Sequence, residues 1–370
     1  MRAATHGDSL GGLLCVGFHG TRVPTELREL VARGVRSVVL FSRNLGAPEQ
    51  VRDLISEIKA LTDEPLLVAV DQEGGAVQRL REGFTRLPPM RAIGSAEDPE
   101  LAMRIGQLVG TELRAVGVDW DFAPVLDVDT NPHNPVIGAR AFHQQADWVA
   151  RLGLAFAAGL ERAGVAACGK HFPGHGDTDL DSHLALPRLA HESARLAAIE
   201  LLPFRAAAQA KLPSLMTAHV VFSELDSEVP ATLSPAVLSG LLRQQLGYDG
   251  VVISDDLEMR AVLDHFGVET AAVRAVAAGI DALLVCHSAE RAHAAIDALE
   301  RARRVGDLPE ARGNEALSRL QALARRYAAP VPDKNALALL QSPEHRALAE
   351  RWSQWAATSS PRDPTREPGA

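Results

Sequence analysis

The chain has 370 residues, of which 46% are hydrophobic, and its formal net charge is -9. This length and apolar content allow a large buried core, either in one α/β barrel or in two smaller domains. The negative charge, without any basic cluster, argues against nucleic acid as a partner. No segment approaches the ~20 apolar residues of a membrane helix, and the first residues do not resemble a secretion signal. We therefore expect a cytoplasmic protein without a membrane partner.

Three cysteines, Cys15, Cys168 and Cys286, lie far apart, each within or beside a short apolar run. Their odd number and the lack of a Cys-x-x-Cys spacing predict buried, reduced thiols. We therefore expect no disulfide framework.

Short β-branched runs alternate with segments of helical periodicity from the start of the chain to about residue 305. This alternation predicts repeated βα units on a parallel sheet. Eight consecutive units favour an α/β fold of the (β/α)8 TIM-like barrel type over an open doubly wound sheet, and no Gly-x-Gly-x-x-Gly motif indicates a dinucleotide cofactor. The eight candidate strands are Leu13–Phe18, Ser37–Phe41, Leu66–Asp71, Val118–Ala123, Ala166–Phe172, Ser214–Val220, Gly250–Asp255 and Ala282–Cys286.

Two helices between these strands are predicted by spacing and end signals. Asp98 followed by Pro99 reads as an N-cap with proline at the first helical position, and Gly117 ends that helix. An earlier apolar stripe, expected to face the barrel, consists of Val51, Leu54, Ile55, Ile58 and Leu61.

Beyond Leu308 the pattern changes to helical segments around Leu317 to Leu323 and around Leu348 and Trp352. We predict a catalytic barrel over residues 1–330 and a C-terminal helical extension over residues 331–356, packed on the outside of the barrel. The last segment, 357–370, is rich in proline, charge and small residues, and we expect it to be disordered.

Polar residues accumulate where several predicted strands end, in the sequences VAVDQEGG, DFAPVLDVD, GKHFPGHG, TAHV and ISDD. In α/β barrels the active site lies where strands end and βα loops begin. Charged side chains at the ends of apolar strands need partners, so packing alone explains them poorly. The residues concerned are Asp71, Lys170, His171, His219 and Asp255.

The segment after the fifth strand contains Asp181 and His183, preceded by glycines and a proline that favour a loop able to swing over the barrel mouth. On an extended stretch, residues two apart point the same way, so the carboxylate could orient the imidazole. Such a histidine can donate and recover a proton near neutral pH. Without the neighbouring acid, His183 would read equally well as a solvated loop residue.

The seventh strand ends in two adjacent acids, Asp255 and Asp256. Strand alternation predicts that only one of them faces the barrel axis, and spacing does not say which. The other acid would be structural, starting the next helix at Leu257.

These residues belong to motifs that resemble those of the glycoside hydrolase family 3 β-N-acetylhexosaminidases of the single-domain, bacterial cell-wall recycling type. The motifs are VAVDQEGGAVQRL, NPVIGARAF, GKHFPGHGDTDLDSHLALP, LMTAHVVF and LGYDGVVISDDLEM. The resemblance implies that Asp255 is the nucleophile and that His183, paired with Asp181, is the general acid/base. It also implies a terminal sugar subsite formed by Asp71, Arg79, Arg140, Lys170 and His171.

The resemblance further separates two branches of the family. Many family-3 β-glucosidases take their acid/base carboxylate from a second domain, for which this chain has no room. A single-domain member needs a proton donor on the barrel, and the loop with His183 supplies one. The implied activity is retaining exo-hydrolysis of terminal non-reducing β-N-acetylglucosamine through a covalent glycosyl-aspartate, without metal or cofactor. Its implied substrates are small oligosaccharides, in particular imported peptidoglycan fragments (muropeptides).

Other functions stay open at this stage. A metal-dependent barrel hydrolase could hold Zn²⁺ with some of His171, His175, His183, His219 and Asp255, although the first strand offers only His19 instead of a His-x-His pair. A β-glucosidase-like member of the same family and a non-catalytic glycan-binding protein are further alternatives. The sequence does not distinguish water from phosphate as the acceptor, and it does not define the leaving group, the pathway or the oligomeric state.

Overall fold

The structure is a computed structural model and describes residues 9–182 and 184–359. Within this part of the chain, eight parallel strands close a barrel in which each strand lies beside its sequence neighbours. Pairing of Leu14 with Leu283 joins the first strand to the last. The strands are β1 Leu14–Val16, β2 Ser37–Leu40, β3 Leu67–Val70, β4 Trp120–Asp121, β5 Ala166–Phe172, β6 Ser214–Thr217, β7 Val251–Asp256 and β8 Ala282–Val285.

This architecture confirms the predicted (β/α)8 barrel. Seven of the eight barrel strands fall within their predicted runs, and β7 extends one residue beyond its run, to Asp256. Strand β4 is much shorter than the predicted Val118–Ala123. Pro124, three residues after the end of β4, has no N–H to donate to a neighbouring strand, which limits a regular ladder beyond this point. Two small sheets extend the loops: Gln72–Gly74 pairs with Val77–Gln78, and Arg188–Leu189 pairs with Val221–Phe222.

Helices surround the barrel. The α-helices are α1 Thr25–Ala32, α2 Pro48–Lys59, α3 Met90–Gly94, α4 Pro99–Val116, α5 Ala146–Arg162, α6 Ser193–Ala198, α7 Leu201–Gln209, α8 Arg260–Phe266, α9 Val268–Ala278, α10 Ala289–Val305, α11 Glu310–Tyr327 and α12 Pro343–Ser359. A π-helix spans Ala236–Gln245, and short 3-10 helices span Leu10–Leu13, Ser42–Asn44, Gly138–Arg140, Ala231–Leu233 and Lys334–Leu339.

The two helices predicted in detail are confirmed. In α2 the predicted apolar face is buried through Ile58, and Leu61 lies just beyond the end of the helix. In α4 the Asp98 carboxylate accepts hydrogen bonds from the backbone N–H groups of Glu100 and Leu101, which satisfies donors that have no partner within the helix. Gly117 ends α4 with a φ of 99°, a left-handed conformation that favours glycine.

C-terminal helices are present, as predicted, and α12 packs against α3. Trp352 of α12 is fully buried. The buried Glu112 carboxylate of α4 accepts a 2.9 Å hydrogen bond from the backbone N–H of Gln341 and lies 2.9 Å from His345 Nδ1. Helix α12 runs to Ser359, three residues into the segment predicted as a tail, whereas 360–370 lie outside the described residues. The proposed division of the chain at residues 330 and 356 stays a prediction.

All three cysteines are buried and free of disulfide bonds, which confirms the expectation of reduced thiols. In the part of the chain that the structure describes, no helix is both long and apolar enough to span a membrane.

Two fully buried aspartates, Asp119 and Asp281, lie immediately before β4 and β8, at the amino-terminal end of the barrel. Each carboxylate also accepts a backbone hydrogen bond from a neighbouring strand, at 3.0 Å in both cases. The basic partners come from surrounding helices: Lys59 at 2.7 Å and Arg114 at 2.6 Å for Asp119, and Arg243 at 2.6 Å and Arg312 at 2.5 Å for Asp281. These two clusters of ion pairs attach the surrounding helices to the amino-terminal end of the barrel.

Candidate active site

A cavity of about 350 Å³ lies where the strands end. Its wall includes six of the eight predicted site residues: Asp71, Arg79, Arg140, Lys170, His171 and Asp255. They come from β5, β7 and the segments that follow β3 and β4. Of the other two, Asp181 is not part of the wall, although its neighbour Ser182 is. His183 lies outside the described residues.

A network of ion pairs forms one side of the cavity. Lys170 Nζ lies 2.8 Å from Asp71 Oδ1 and 2.5 Å from Glu73 Oε1. The guanidinium of Arg140 donates to both oxygens of Glu73, at 2.8 Å each, in a bidentate pair. Arg79 lies farther away, with Nη2 3.7 Å from Asp71 Oδ2. Oppositely charged groups therefore alternate along this wall.

Glu73 and Lys170 stay charged in this network despite their burial. Burial by itself would raise the pKa of Glu73, but the charges of Arg140 and Lys170 outweigh it and hold the pKa well below its ordinary value. Burial would likewise lower the pKa of Lys170, but the carboxylates of Asp71 and Glu73 raise it. Fixed charged donors and acceptors make strong hydrogen bonds to hydroxyl groups, so this wall suits a polyhydroxylated ring.

His171 is held by Asp127, a fully buried acid beyond β4. His171 Nδ1 lies 2.7 Å from Asp127 Oδ2, and the backbone N–H groups of His171 and His175 both donate to Asp127 Oδ1, at 3.1 and 2.7 Å. Burial raises the pKa of the Asp127 carboxyl, but His171 and the hydrogen bonds lower it by more, so the net shift is downward. An ionised Asp127 fixes the imidazole ring of His171 at the cavity wall.

His175 connects the start of the loop after β5 to its later part. Its Nδ1 lies 2.8 Å from Thr178 Oγ1, and its Nε2 lies 3.0 Å from Ser182 Oγ. Burial, reinforced by nearby His171, lowers the pKa of His175 to about 4, so the ring is neutral at physiological pH. Ser182 lines the cavity and directly follows Asp181. Its contact with His175 therefore holds this part of the loop beside the site.

The end of β7 places both adjacent acids at the cavity. The pairing register with β8 shifts between Ile253 and Asp256, which interrupts strict alternation. The expectation that only one acid faces the barrel axis is therefore wrong, since both Asp255 and Asp256 line the cavity. The next helix begins at Arg260 rather than at Leu257.

The two acids differ in their environment. Asp255 is only partly buried, and its Oδ1 accepts a 2.8 Å hydrogen bond from the backbone N–H of Asp256. The Asp256 carboxylate accepts from the backbone N–H of Glu258 at 3.1 Å, and burial raises its pKa to about 7. A nucleophile must be ionised to attack, so the raised pKa of Asp256 argues against Asp256 in that role.

The chain matches the glycosyl hydrolase family 3 N-terminal domain over residues 7–323. It belongs to glycosyl hydrolase family 3. A β-hexosaminidase of Alkalilimnicola ehrlichii is 46% identical over 286 residues, which are 75% of this chain and 82% of that protein. The family resemblance predicted from the motifs and the assignment to glycoside hydrolases are thereby confirmed, and this relative bears the name of the predicted branch.

Two solved structures support the same family. A family-3 β-N-acetylglucosaminidase from Paenibacillus sp. str. FPU-7 superposes with a TM-score of 0.89 at 42% identity, covering 95% of this chain and 69% of that one. NagZ from Neisseria gonorrhoeae, in complex with N-trifluoroacetyl-D-glucosamine, gives a TM-score of 0.78 at 35% identity, covering 93% and 98%.

Two of the histidines considered for a zinc site, His175 and His219, are engaged in other contacts. Both ring nitrogens of His175 are engaged, as described above. His219 Nδ1 lies 2.8 Å from Thr232 Oγ1, and its Nε2 lies 3.0 Å from the carbonyl oxygen of Asp256. Over residues 9–182 and 184–359, no three histidine, cysteine or acidic side chains are arranged to hold a metal ion. His219 instead supports the backbone at the end of β7.

Sequence reasoning missed two acids of this site, Glu73 and Asp127. Glu73 lies two residues after Asp71, a spacing that places both side chains on one face of an extended segment and could have predicted it. Asp127 belongs to the motif DFAPVLDVD, but nothing in that motif shows which of its acids meets His171.

Proposed function

We propose that this family-3 enzyme hydrolyses terminal non-reducing β-linked N-acetylglucosamine with retention of configuration. The observation that carries the proposal is the convergence of six motif residues from distant parts of the chain on one cavity: Asp71, Arg79, Arg140, Lys170, His171 and Asp255. The cavity volume of about 350 Å³ lies at the small end of the range of ligand pockets, roughly 300–1,000 Å³, which suits a single terminal sugar. The names of the similar proteins support the same sugar.

The reaction would proceed in two steps. Asp255 attacks the anomeric carbon and forms a glycosyl ester, while His183 donates a proton to the departing glycosidic oxygen. His183 then takes a proton from water, whose oxygen attacks the same carbon and releases Asp255 as a carboxylate. Asp181 would orient the imidazole and stabilise its charged form. Asp71, Arg79, Arg140, Lys170 and His171 would hold the sugar hydroxyl groups.

The physiological setting would be the recycling of peptidoglycan in the cytoplasm, with imported muropeptides as substrates. This part of the proposal is supported by the motifs of the recycling-type branch and by the relatives' common name, β-hexosaminidase. Water is the proposed acceptor because the mechanism then needs no second anion in an already acidic site, where Asp255 and Asp256 lie side by side.

A panel of p-nitrophenyl glycosides tests the substrate. We expect turnover of the β-N-acetylglucosaminide at a kcat/KM far above that of the β-glucoside, with unchanged rates after chelator treatment. Preference for the β-glucoside would refute the proposed branch, and loss of activity with a chelator would favour a metal-dependent reaction. Running the reaction in phosphate buffer and identifying the product as free sugar or sugar 1-phosphate decides the acceptor.

A slow fluorinated glycosyl substrate tests the covalent step. We expect mass spectrometry to place one sugar on the peptide that contains Asp255, and Asp255→Asn to abolish labelling. Asp256→Asn is the matched control, because it removes the adjacent carboxylate from the same strand. Label retained in Asp255→Asn but lost in Asp256→Asn would exchange the roles of the two acids.

A further inference from the structure

The loop that follows β5, residues 173–190, is held firmly at its first end. Asn134 Nδ2 donates to the carbonyl oxygen of His175 at 2.9 Å, and Asn131 Nδ2 donates to that of Thr178 at 3.2 Å. Gly176 packs so closely that a Cβ there would lie 1.8 Å from the carbonyl oxygen of Val128. Residues 174–178 therefore form a fixed first stem against the segment that follows β4.

The second end of the loop is held by another part of the barrel. Residues Arg188–Leu189 pair with Val221–Phe222 beyond β6, and the backbone N–H of Val221 donates to the carbonyl oxygen of Pro187 at 2.9 Å. Between the stems, the side chains of Asp179, Leu180 and Leu184 are exposed to solvent. The loop thus has two attached stems and an exposed tip.

A cluster of charged side chains joins the two stems. Asp177, in the first stem, lies with Oδ2 2.8 Å from His191 Nε2 and 2.9 Å from Arg195 Nη2, both just beyond the second stem. Its other oxygen, Oδ1, accepts a 2.7 Å hydrogen bond from Thr130 Oγ1. One carboxylate therefore connects three separate segments: the exit from β4, the first stem and the start of α6.

Glu200 completes this cluster from the other side. It is almost fully buried, and its Oε1 lies 3.3 Å from Arg195 Nη2 and 3.9 Å from His191 Nε2. Gly174 contacts it so closely that a Cβ at that position would lie 3.0 Å from Glu200 Cβ. Arg195 thus bridges two acids: Asp177, which belongs to the first stem, and Glu200, which contacts the first stem at Gly174.

We propose that Asp177, His191, Arg195 and Glu200 are positioning residues, which clasp the two stems and so hold the loop tip in reach of the cavity. The proposal rests on the proposed acid/base role of the Asp181 and His183 pair, which the tip carries. Proton transfer requires hydrogen-bond distance between donor and glycosidic oxygen. A misplacement of about 1 Å can reduce a rate by about 100-fold. Among the stem residues, only His175 is part of the cavity wall. Breaking the contacts between the two stems should therefore affect proton donation far more than sugar binding.

The test compares Asp177→Asn with Asp179→Asn. Both variants exchange a carboxylate for an amide in the same loop, but Asp179 is exposed and lies outside the cluster. Each is assayed on a dinitrophenyl β-N-acetylglucosaminide, whose leaving group needs no protonation, and on a natural disaccharide, whose leaving group does. Free N-acetylglucosamine as a competitive inhibitor reports on the terminal sugar subsite, and thermal unfolding reports on folding.

We expect Asp177→Asn to lose at least about tenfold more kcat/KM on the disaccharide than on the dinitrophenyl glycoside, with an unchanged inhibition constant. Asp179→Asn should behave like the unaltered enzyme. Arg195→Gln should reproduce the pattern, and Arg195→Lys should restore part of the loss because it keeps the charge but not the bridge between two acids.

Equal losses on both substrates in Asp177→Asn, or no loss on either, would overturn the proposal. The same would follow if Asp177→Asn folded poorly and Arg195→Gln, whose side chain is partly exposed, showed no leaving-group selectivity. His183→Ala in the same assays separates this failure from failure of the proposed function. Selectivity in His183→Ala without selectivity in the cluster variants refutes the clasp alone, whereas its absence from His183→Ala refutes the acid/base role on which the clasp rests.

Discussion

The two ends of the barrel use the same chemistry in different ways. At the amino-terminal end, Asp281 is completely enclosed, and its ion pairs with Arg243 and Arg312 fasten helices to the strands. At the carboxyl-terminal end, Asp71 pairs with Lys170 in a comparably close contact, but the Asp71 side chain stays 15% exposed and both residues line a cavity. Buried ion pairs alone therefore do not mark a functional site, and an open space beside them does.

The two ends of the barrel differ because the partners of their buried acids come from different parts of the chain. At the amino-terminal end, arginine and lysine side chains from the surrounding helices satisfy the acids, and backbone N–H groups complete the set. At the carboxyl-terminal end, the partners come from the strands themselves and from the loops that follow them, which leaves room above the network. A ligand with hydroxyl groups can then take part in the same hydrogen bonding.

The largest expected effect is on catalysis. Its absence would break the comparison between the two ends of the barrel. Asp255→Asn keeps the shape of the side chain but removes the attacking carboxylate, and we expect kcat to fall on the order of 10⁴-fold. The midpoint of thermal unfolding should change little, because Asp255 is only partly buried. Residual activity above about 10% of the original would show that another group attacks the sugar.

Asp281→Asn should give the opposite result. It leaves Arg243 and Arg312 buried without their acid, and removal of one partner of a buried pair destabilises by roughly 3–5 kcal/mol. Denaturant unfolding measures this loss, while the kcat/KM of the folded fraction should stay unchanged. Asp297→Asn is the matched control, since Asp297 is 64% exposed in its pair with Arg33 and such pairs contribute roughly 0–1 kcal/mol. A loss of activity in the folded Asp281→Asn enzyme would erase the distinction between the two ends.

Smaller effects are expected from the charged wall of the cavity. Lys170→Ala and Arg140→Ala should each raise the activation free energy for kcat/KM by about 1–3 kcal/mol, because each removes a donor to the sugar. Lys334→Ala, an exposed residue of the helical extension, provides the control. Unchanged kcat/KM in both cavity variants would remove this wall from the sugar subsite.

The fold was predictable because its signals are local. Eight apolar runs, the stripe that begins at Val51 and the cap at Asp98 each depend on neighbours in sequence, and all are present in the structure. The position of Lys170 in the cavity was predicted through the motifs, but its pairing with Glu73 was not. Which acid forms an ion pair with Lys170 depends on segments that are distant in sequence and meet only in the closed barrel.

The same distinction explains the errors at the end of β7. Alternation is a rule for regular strands, and the register shift before Asp256 brings a second acid to the cavity. Likewise, nothing in the sequence separates Asp281, which fastens helices, from acids that face the cavity. The sequence predicted which residues are chemically unusual, and the three-dimensional packing determined whether each one faces solvent or a helix.

The last expected effect concerns Asp256, and its size depends on pH. Its pKa is raised by burial to about 7 in the folded protein, against about 3.9 in an unfolded chain. Between about pH 4 and pH 7 the folded state therefore keeps a proton that the unfolded state has released, so this group's contribution to stability is present below pH 4 and is lost as the pH rises through 7.

Asp256→Asn is neutral at every pH, and its amide oxygen can still accept from the backbone N–H of Glu258. We expect the variant to unfold at the same temperature as the original protein near pH 4 and a few degrees higher at pH 8, measured by calorimetry across that range. A difference that is independent of pH, or a variant less stable at pH 8, would contradict the raised pKa. The expected gain has the opposite sign to the loss in Asp281→Asn, because Asp256 Oδ2 lies 3.5 Å from Nε2 of the exposed His287 side chain, whereas the Asp281 carboxylate is enclosed by arginines.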